Sequence, residues 1–108
     1  MIVYELFFGR TIADRAAPVT DAEWNAFIEQ VVTPNLPAGF TVFDGQGQWQ
    51  NPATKEIVRD PTKILLAAAP PTRQTAEAIK TIRQSYEQRF GQQSVGIISH
   101  AACADFES

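Results

Sequence analysis

At 108 residues the chain has room for one compact domain, spanning residues 1–108, and not for two. Its 44% hydrophobic and 19% charged residues are those of a globular protein and exclude a disordered one. The nine basic and twelve acidic residues, net charge −3, are mixed along the chain, so no basic stripe marks a nucleic-acid partner.

The first stretch, Ile2 to Gly9, is β-branched and aromatic, which predicts a strand. It has no basic leader and no small-residue cleavage site, so it does not read as a signal peptide. No apolar run reaches the roughly 20 residues that span a bilayer. The expectation is a soluble, cytoplasmic protein without membrane contact. Period two sets Ile2, Tyr4, Leu6 and Phe8 on one face, and Val3, Glu5 and Phe7 on the other. Arg10 follows at the exit.

Thr11 to Val19 reads as a loop. Thr20-Asp21-Ala22-Glu23 is a capping box that opens a helix with Trp24, Phe27, Ile28 and Val31 as its apolar stripe. Trp24 belongs to that stripe and is expected in the core. Pro34 and Pro37 are expected to stop the helix.

From Gly39 to Ala69 the sequence reads as a long β-hairpin. Thr41–Asp44 leads out, Asn51–Thr54 turns and Lys63–Ala69 returns. Its middle is polar and glycine-marked, with Asp44, Gln46, Gln48, Trp49 and Arg59. Gly45 and Gly47 suggest a bulge or the close approach of another group. Asp44 is either a base or the start of a turn with Gly45. Pro61, without an amide hydrogen, is expected at an edge or bulge.

Thr72 opens a second helix to Phe90, with Ala76, Ile79, Ile82, Tyr86 and Phe90 inward and Gly91 as its stop. Ser94 to His100 is a last strand, and Ala101 to Ser108 a tail. The order strand, helix, strand, strand, helix, strand predicts an α+β, ferredoxin-like split βαβ sandwich. Right-handed crossovers then give the strand order four, one, three, two, with both helices on one face.

The side chains left for chemistry are few. One cysteine, Cys103, and one histidine, His100, exclude a disulfide framework, a structural zinc site and a histidine-rich metal centre. With no glycine-rich phosphate loop or nucleophile elbow, no cofactor is expected. Cys103 is a bland thiol or a nucleophile.

The strand-one face holding Glu5 is assigned to the side without helices. Antiparallel neighbours bring Lys63 near Arg10, and His100 near the start of strand one. Arg10, Lys63 and Arg59 then gather at one end of the open face, with Glu5 between them and His100. Such cations would grip a small anionic or polar molecule, aided by Gln48 and by stacking on Trp49. Glu5 and His100 would handle protons, as in a cofactor-free lyase or isomerase working as a homodimer. The alternative is a non-catalytic self-association or protein-interaction module, with Glu5 in a structural ion pair to Lys63 or Arg10. Trp49 either stacks on a ligand, caps a neighbouring subunit, or packs as core over the end of the first helix.

Several segments together carry a resemblance. They are Leu6–Arg10, Asp21–Trp24 with Phe27, Val32–Pro34, Gly39–Val42 with Gly47–Trp49, Lys63–Leu65, and Arg89-Phe90 with Gln93–Val95. From Tyr4 to Phe106 the chain resembles DUF3574, a small bacterial family of unknown function. The resemblance implies a small single-domain protein. It implies an export or lipoprotein signal in many members, whereas this sequence starts at the first strand. It assigns no activity and no catalytic residue, and it directs attention to Arg10, Gln48, Trp49 and Lys63.

Overall fold

A computed structural model of the chain describes residues 1–12, 14–92 and 94–106. Gln93 of the resemblance motif and the last two residues of the tail lie outside the described residues. In chain order the elements are β1 (Ile2–Gly9), α1 (Asp21–Phe27), a π-helical turn (Ile28–Val32), α2 (Thr33–Asn35), β2 (Thr41–Gln50), β3 (Ile57–Ala69), α3 (Arg73–Phe90) and β4 (Gly96–Ala101). The four strands form one antiparallel sheet in the order β2-β3-β1-β4.

The helices cover a single face. The alternation of β1 sends Leu6 and Phe8 beneath them, and β3 adds Leu65, Ala67 and Ala69 to the same layer. From the helices come Trp24, Phe27, Val32, Ile79, Ile82, Tyr86 and Phe90. Phe8 is the centre of an aromatic cluster, meeting Trp24, Phe27 and Tyr86 edge-on at 5.0, 6.0 and 4.9 Å between ring centroids. Each such pair adds about 0.5–1.5 kcal/mol beyond the area it buries. Tyr86 is fully buried, and its hydroxyl donates to the Gly9 carbonyl at 2.7 Å, which ties α3 to the exit of β1. Burial holds this phenol well above its ordinary range, so it stays a donor at any working pH.

The capping box at Thr20 and Glu23 forms as expected, and Gly91 ends α3 in the left-handed conformation at φ 62°. Ala76 is exposed, however, so the α3 stripe starts inward only at Ile79. Pro34 behaves differently from expectation, whereas Pro37 conforms to it. Pro34 lies inside helical backbone, because the preceding π turn bonds Thr33 N–H to Ile28 O and opens the coil where the ring would clash. The helix ends instead at Leu36, just before Pro37.

Pro61 sits on an inner strand, yet without a bulge. Its carbonyl accepts from Arg10 N–H one residue beyond the last ladder pair, Gly9 with Thr62. The side where an amide hydrogen is missing is therefore the side where β1 has already run out.

The hairpin is longer and more regular than the sequence suggests. Its register runs unbroken from Thr41 opposite Leu66 to Gln50 opposite Ile57, so Asp44-Gly45 is neither turn nor bulge. A Cβ on Gly45 would meet Ile64 Cδ1 at 2.8 Å, and one on Gly47 would meet Thr62 Oγ1 at 3.1 Å. What comes close at these glycines is the neighbouring strand's own side chains. The tip spans Asn51 to Glu56. The Asn51 side chain accepts from the Ala53 and Thr54 amides, and Lys55 turns at φ 62°. Residues 46–50 and 57–61 reach past β1 as a two-stranded ribbon, which lengthens the molecule to 48 Å.

Replacing Tyr86 by Phe keeps the ring contacts and leaves the Gly9 carbonyl unpaired. It is expected to lower stability in urea unfolding by about 1–2 kcal/mol. Phe8→Ala, which empties the centre of the cluster, is expected to cost about 3–5 kcal/mol in the same measurement.

Candidate functional site

The uncovered face is built by the other half of the alternation. On β1 it carries Val3, Glu5 and Phe7. Glu5 stands between Leu66 of β3 and Ile98 of β4, Phe7 beside Ile64, and Val3 beside His100. Phe43, opposite Ile64 on β2, extends the apolar surface outward. Phe43, Leu66 and Ile98 are 47%, 38% and 54% exposed, which is high for side chains of this size. Glu5 is half-buried among them, and His100 is exposed. The strands place no lysine or arginine on this face. Asp60, near the exit of β1, accepts from the Thr11 amide and hydroxyl.

At the strand-one entrance this face opens into an apolar cavity of about 560 Å3, lined by Met1, Val3, Phe40, Thr41, Leu66 and Phe106 among others. Val3 and Leu66 are shared between the cavity wall and the surroundings of Glu5. Its volume is that of small-molecule sites.

The expected cationic end of this face lies on the other side of the sheet. Arg10 and Lys63 do come together, but Lys63 stands opposite Phe8 and so shares the helix-covered face. Glu5 and Lys63 therefore point to opposite faces, and the pocket expected between them does not form. Lys63 is 7% exposed. Its ammonium donates to Asp44 at 2.7 Å and to Asp21 at 3.1 Å. Arg10 reaches the same Asp21 oxygen at 3.4 Å and donates to the Val19 carbonyl at 2.8 Å. Two cations meet two carboxylates, so no positive charge is left over to attract an anionic ligand.

The partners were present in the sequence. Asp44 lies directly across from Lys63, and Asp21 is the first residue of α1. Asp44 and, to a lesser degree, Asp21 raise the Lys63 ammonium above its ordinary value against the opposing effect of burial, and Lys63 in turn lowers Asp44.

The other expected binding residues do not join this cluster. Gln48 and Arg59 face each other on the helix side of the ribbon, about 13 Å beyond Lys63 by strand rise. Trp49, opposite Val58, points to the reverse side and is 55% exposed, so it is not core. Cys103 is exposed in the tail after β4. Among the described residues no group of three metal-ligating side chains occurs, and no helix is long and apolar enough to cross a membrane.

Substituting Asp21 or Asp44 alone by Asn leaves Lys63 one carboxylate. Substituting both leaves a buried ammonium unpaired. The double variant is expected to lower the melting temperature by more than the two single losses together.

A pH series tests the same charges. The Arg15 guanidinium, and after it the Thr20 amide, hold Glu23 down at about 2, against an ordinary 4.5. Asp44 is also lowered, from 3.8. A lowered carboxylate gives stability that is full above its unfolded value and fades as pH falls through the folded one. Raised Lys63 gives stability that is full below 10.5 and fades as pH rises through its folded value. Melting temperature is expected to fall below about pH 4.5, and Glu23→Gln to flatten that limb.

Similarity to solved structures places this geometry among known folds. A phage SAM lyase in complex with S-methyl-5'-thioadenosine matches with a TM-score of 0.67 at 10% identity, over 92% of this chain and 79% of that one. The phage SAM lyase in its apo state matches with 0.65 at 11% identity, over 92% and 78%. At such identity the likeness is one of fold. A search of curated proteins finds no match. The sequence itself matches a family described as "Protein of unknown function (DUF3574)" over residues 3–106, and the chain belongs to that family.

Proposed function

We propose that this protein binds a small molecule in the apolar cavity beside Glu5 and acts on it as a lyase-type enzyme without a cofactor. The observation that carries this reading is one half-buried carboxylate, framed by Val3, Phe7, Leu66 and Ile98, of which Val3 and Leu66 also line a cavity of about 560 Å3. A carboxylate in apolar surroundings serves as a general base or as the anchor of a positive charge. His100, diagonally across β4, is the second group in reach for proton transfer.

The charge of the face also selects the ligand. With acids and no lysine or arginine on it, the face suits a neutral or cationic molecule with a large apolar part; of the anionic or polar molecule expected from the sequence, the anionic choice is dropped. S-adenosylmethionine, with its sulfonium, and S-methyl-5'-thioadenosine have that character. The lyase whose fold this chain shares carries the latter in its complex. The strand order β2-β3-β1-β4 supports reading the sandwich as the ferredoxin-like split βαβ class, which hosts catalysis and binding alike.

Calorimetric titration with S-methyl-5'-thioadenosine, and mass detection of its release from S-adenosylmethionine, test the proposal. Binding is expected, and Glu5→Gln should weaken binding or turnover at least tenfold with little change in melting temperature. Arg10→Ala and Lys63→Ala should instead lower the melting temperature, because their positions are structural. An unaltered affinity and turnover in Glu5→Gln would remove the proposal. The exposed Phe43, Leu66 and Ile98 favour a second reading, a non-catalytic association surface, under which neither compound binds.

A further inference from the structure

β2 is one margin of the sheet, and its outer side lacks the devices by which proteins blunt an edge. It is ten residues long, keeps unbroken register with β3, and contains no lysine, arginine or proline. Its single charge, Asp44, is engaged by Lys63 at 2.7 Å.

Pro61 tells which backbone groups point outward. The N–H and C=O of a strand residue share one side, and the Pro61 carbonyl accepts from Arg10, away from β2. Its cross-strand partner Gln46 therefore turns its own N–H and C=O away from β3. By alternation the same holds for Val42, Asp44, Gln48 and Gln50.

We propose that a second copy of this chain adds its β2 to this edge, antiparallel, about a twofold axis through Gln46, joining two four-stranded sheets into one. The register is self-complementary. Gln46 meets Gln46 of the second copy, Asp44 meets Gln48, and Val42 meets Gln50, so every outward N–H and C=O from Val42 to Gln50 gains a partner. Moving the axis to Gly45 strands Gln50, and moving it to Gly47 strands Val42.

The same register sets Phe43 against Trp49 of the second copy on both sides of the axis, with Gly45 against Gly47 between them. These are non-hydrogen-bonded pairs, where Cα atoms approach to about 4.5 Å and aromatic partners pack well. Phe43 and Trp49 are 47% and 55% exposed in the single chain. No like charges oppose each other across the axis, since Asp44 faces an amide. The pairing leaves the open face uncovered and brings Trp49 of the second copy beside Phe43, whose β3 partner Ile64 neighbours Phe7. The inference does not rest on the ligand reading: a monomer that binds S-methyl-5'-thioadenosine overturns the pairing alone.

Light scattering on the full chain is expected to give the mass of a dimer. In a Cys103→Ser background, Gln46→Cys should cross-link to itself on mild oxidation. Asp44→Cys and Gln48→Cys should cross-link only when mixed. Gln46→Pro removes an outward N–H without touching the β2–β3 ladder and should halve the mass. Should that variant not fold, Gln46→Lys, which sets two ammonium groups together at the axis, should halve it as well. A monomeric native chain overturns the pairing. So does a dimer that survives these variants and is instead lost with Ile98→Lys on the open face.

Discussion

The structure depends on one constraint: β1 lies between two antiparallel neighbours, so its side chains can only alternate between a covered face and an open one. Phe8 and Leu6 take the covered side, and their burial organises the helices around them. Glu5 and Phe7 must then take the other. The aromatic cluster at Phe8 and the carboxylate at Glu5 are two results of the same alternation. Neither could move without moving the other, because a slip of one residue would exchange the two faces entirely.

Charge is divided along the same line. On the covered face Lys63 is buried, and burial obliges it to have partners; Asp44 across the ladder and Asp21 at the start of α1 supply them. Because Arg10 shares Asp21, this knot joins the exit of β1, the entry of α1 and the middle of the hairpin. It is a clamp on the sandwich. The open face keeps acids without cations, set in apolar surroundings. The stabilising ion cluster and the face proposed for recognition thus lie on opposite sides of a sheet one residue thick.

The hairpin extends this division beyond the core. Past Arg10 and Thr11, which bond Pro61 and Asp60, no described strand flanks it on either side, so its distal half is a bare ribbon whose regularity comes from the Asn51 tip and the fit of Ile64 and Thr62 over Gly45 and Gly47. Two strands alone are marginal in water. A ribbon with a long unguarded edge and two exposed aromatic rings is better suited to being covered than to standing free.

Local chemistry was legible in the residues. The capping box at Thr20, the stop at Gly91, the alternation of β1, the inward Trp24 and the side of Glu5 each depend on neighbours within a few positions. The sequence could also bring Arg10 and Lys63 to the same end of the sheet, since antiparallel pairing requires it. It could not decide on which face Lys63 would lie. That depends on the pairing parity between β1 and β3, a relation between residues more than fifty positions apart, and a register change of one residue reverses it. For the same reason the partners of Lys63, the two sides of Gln48 and Trp49, and the tolerance of Pro34 and Pro61 were settled only when distant segments met.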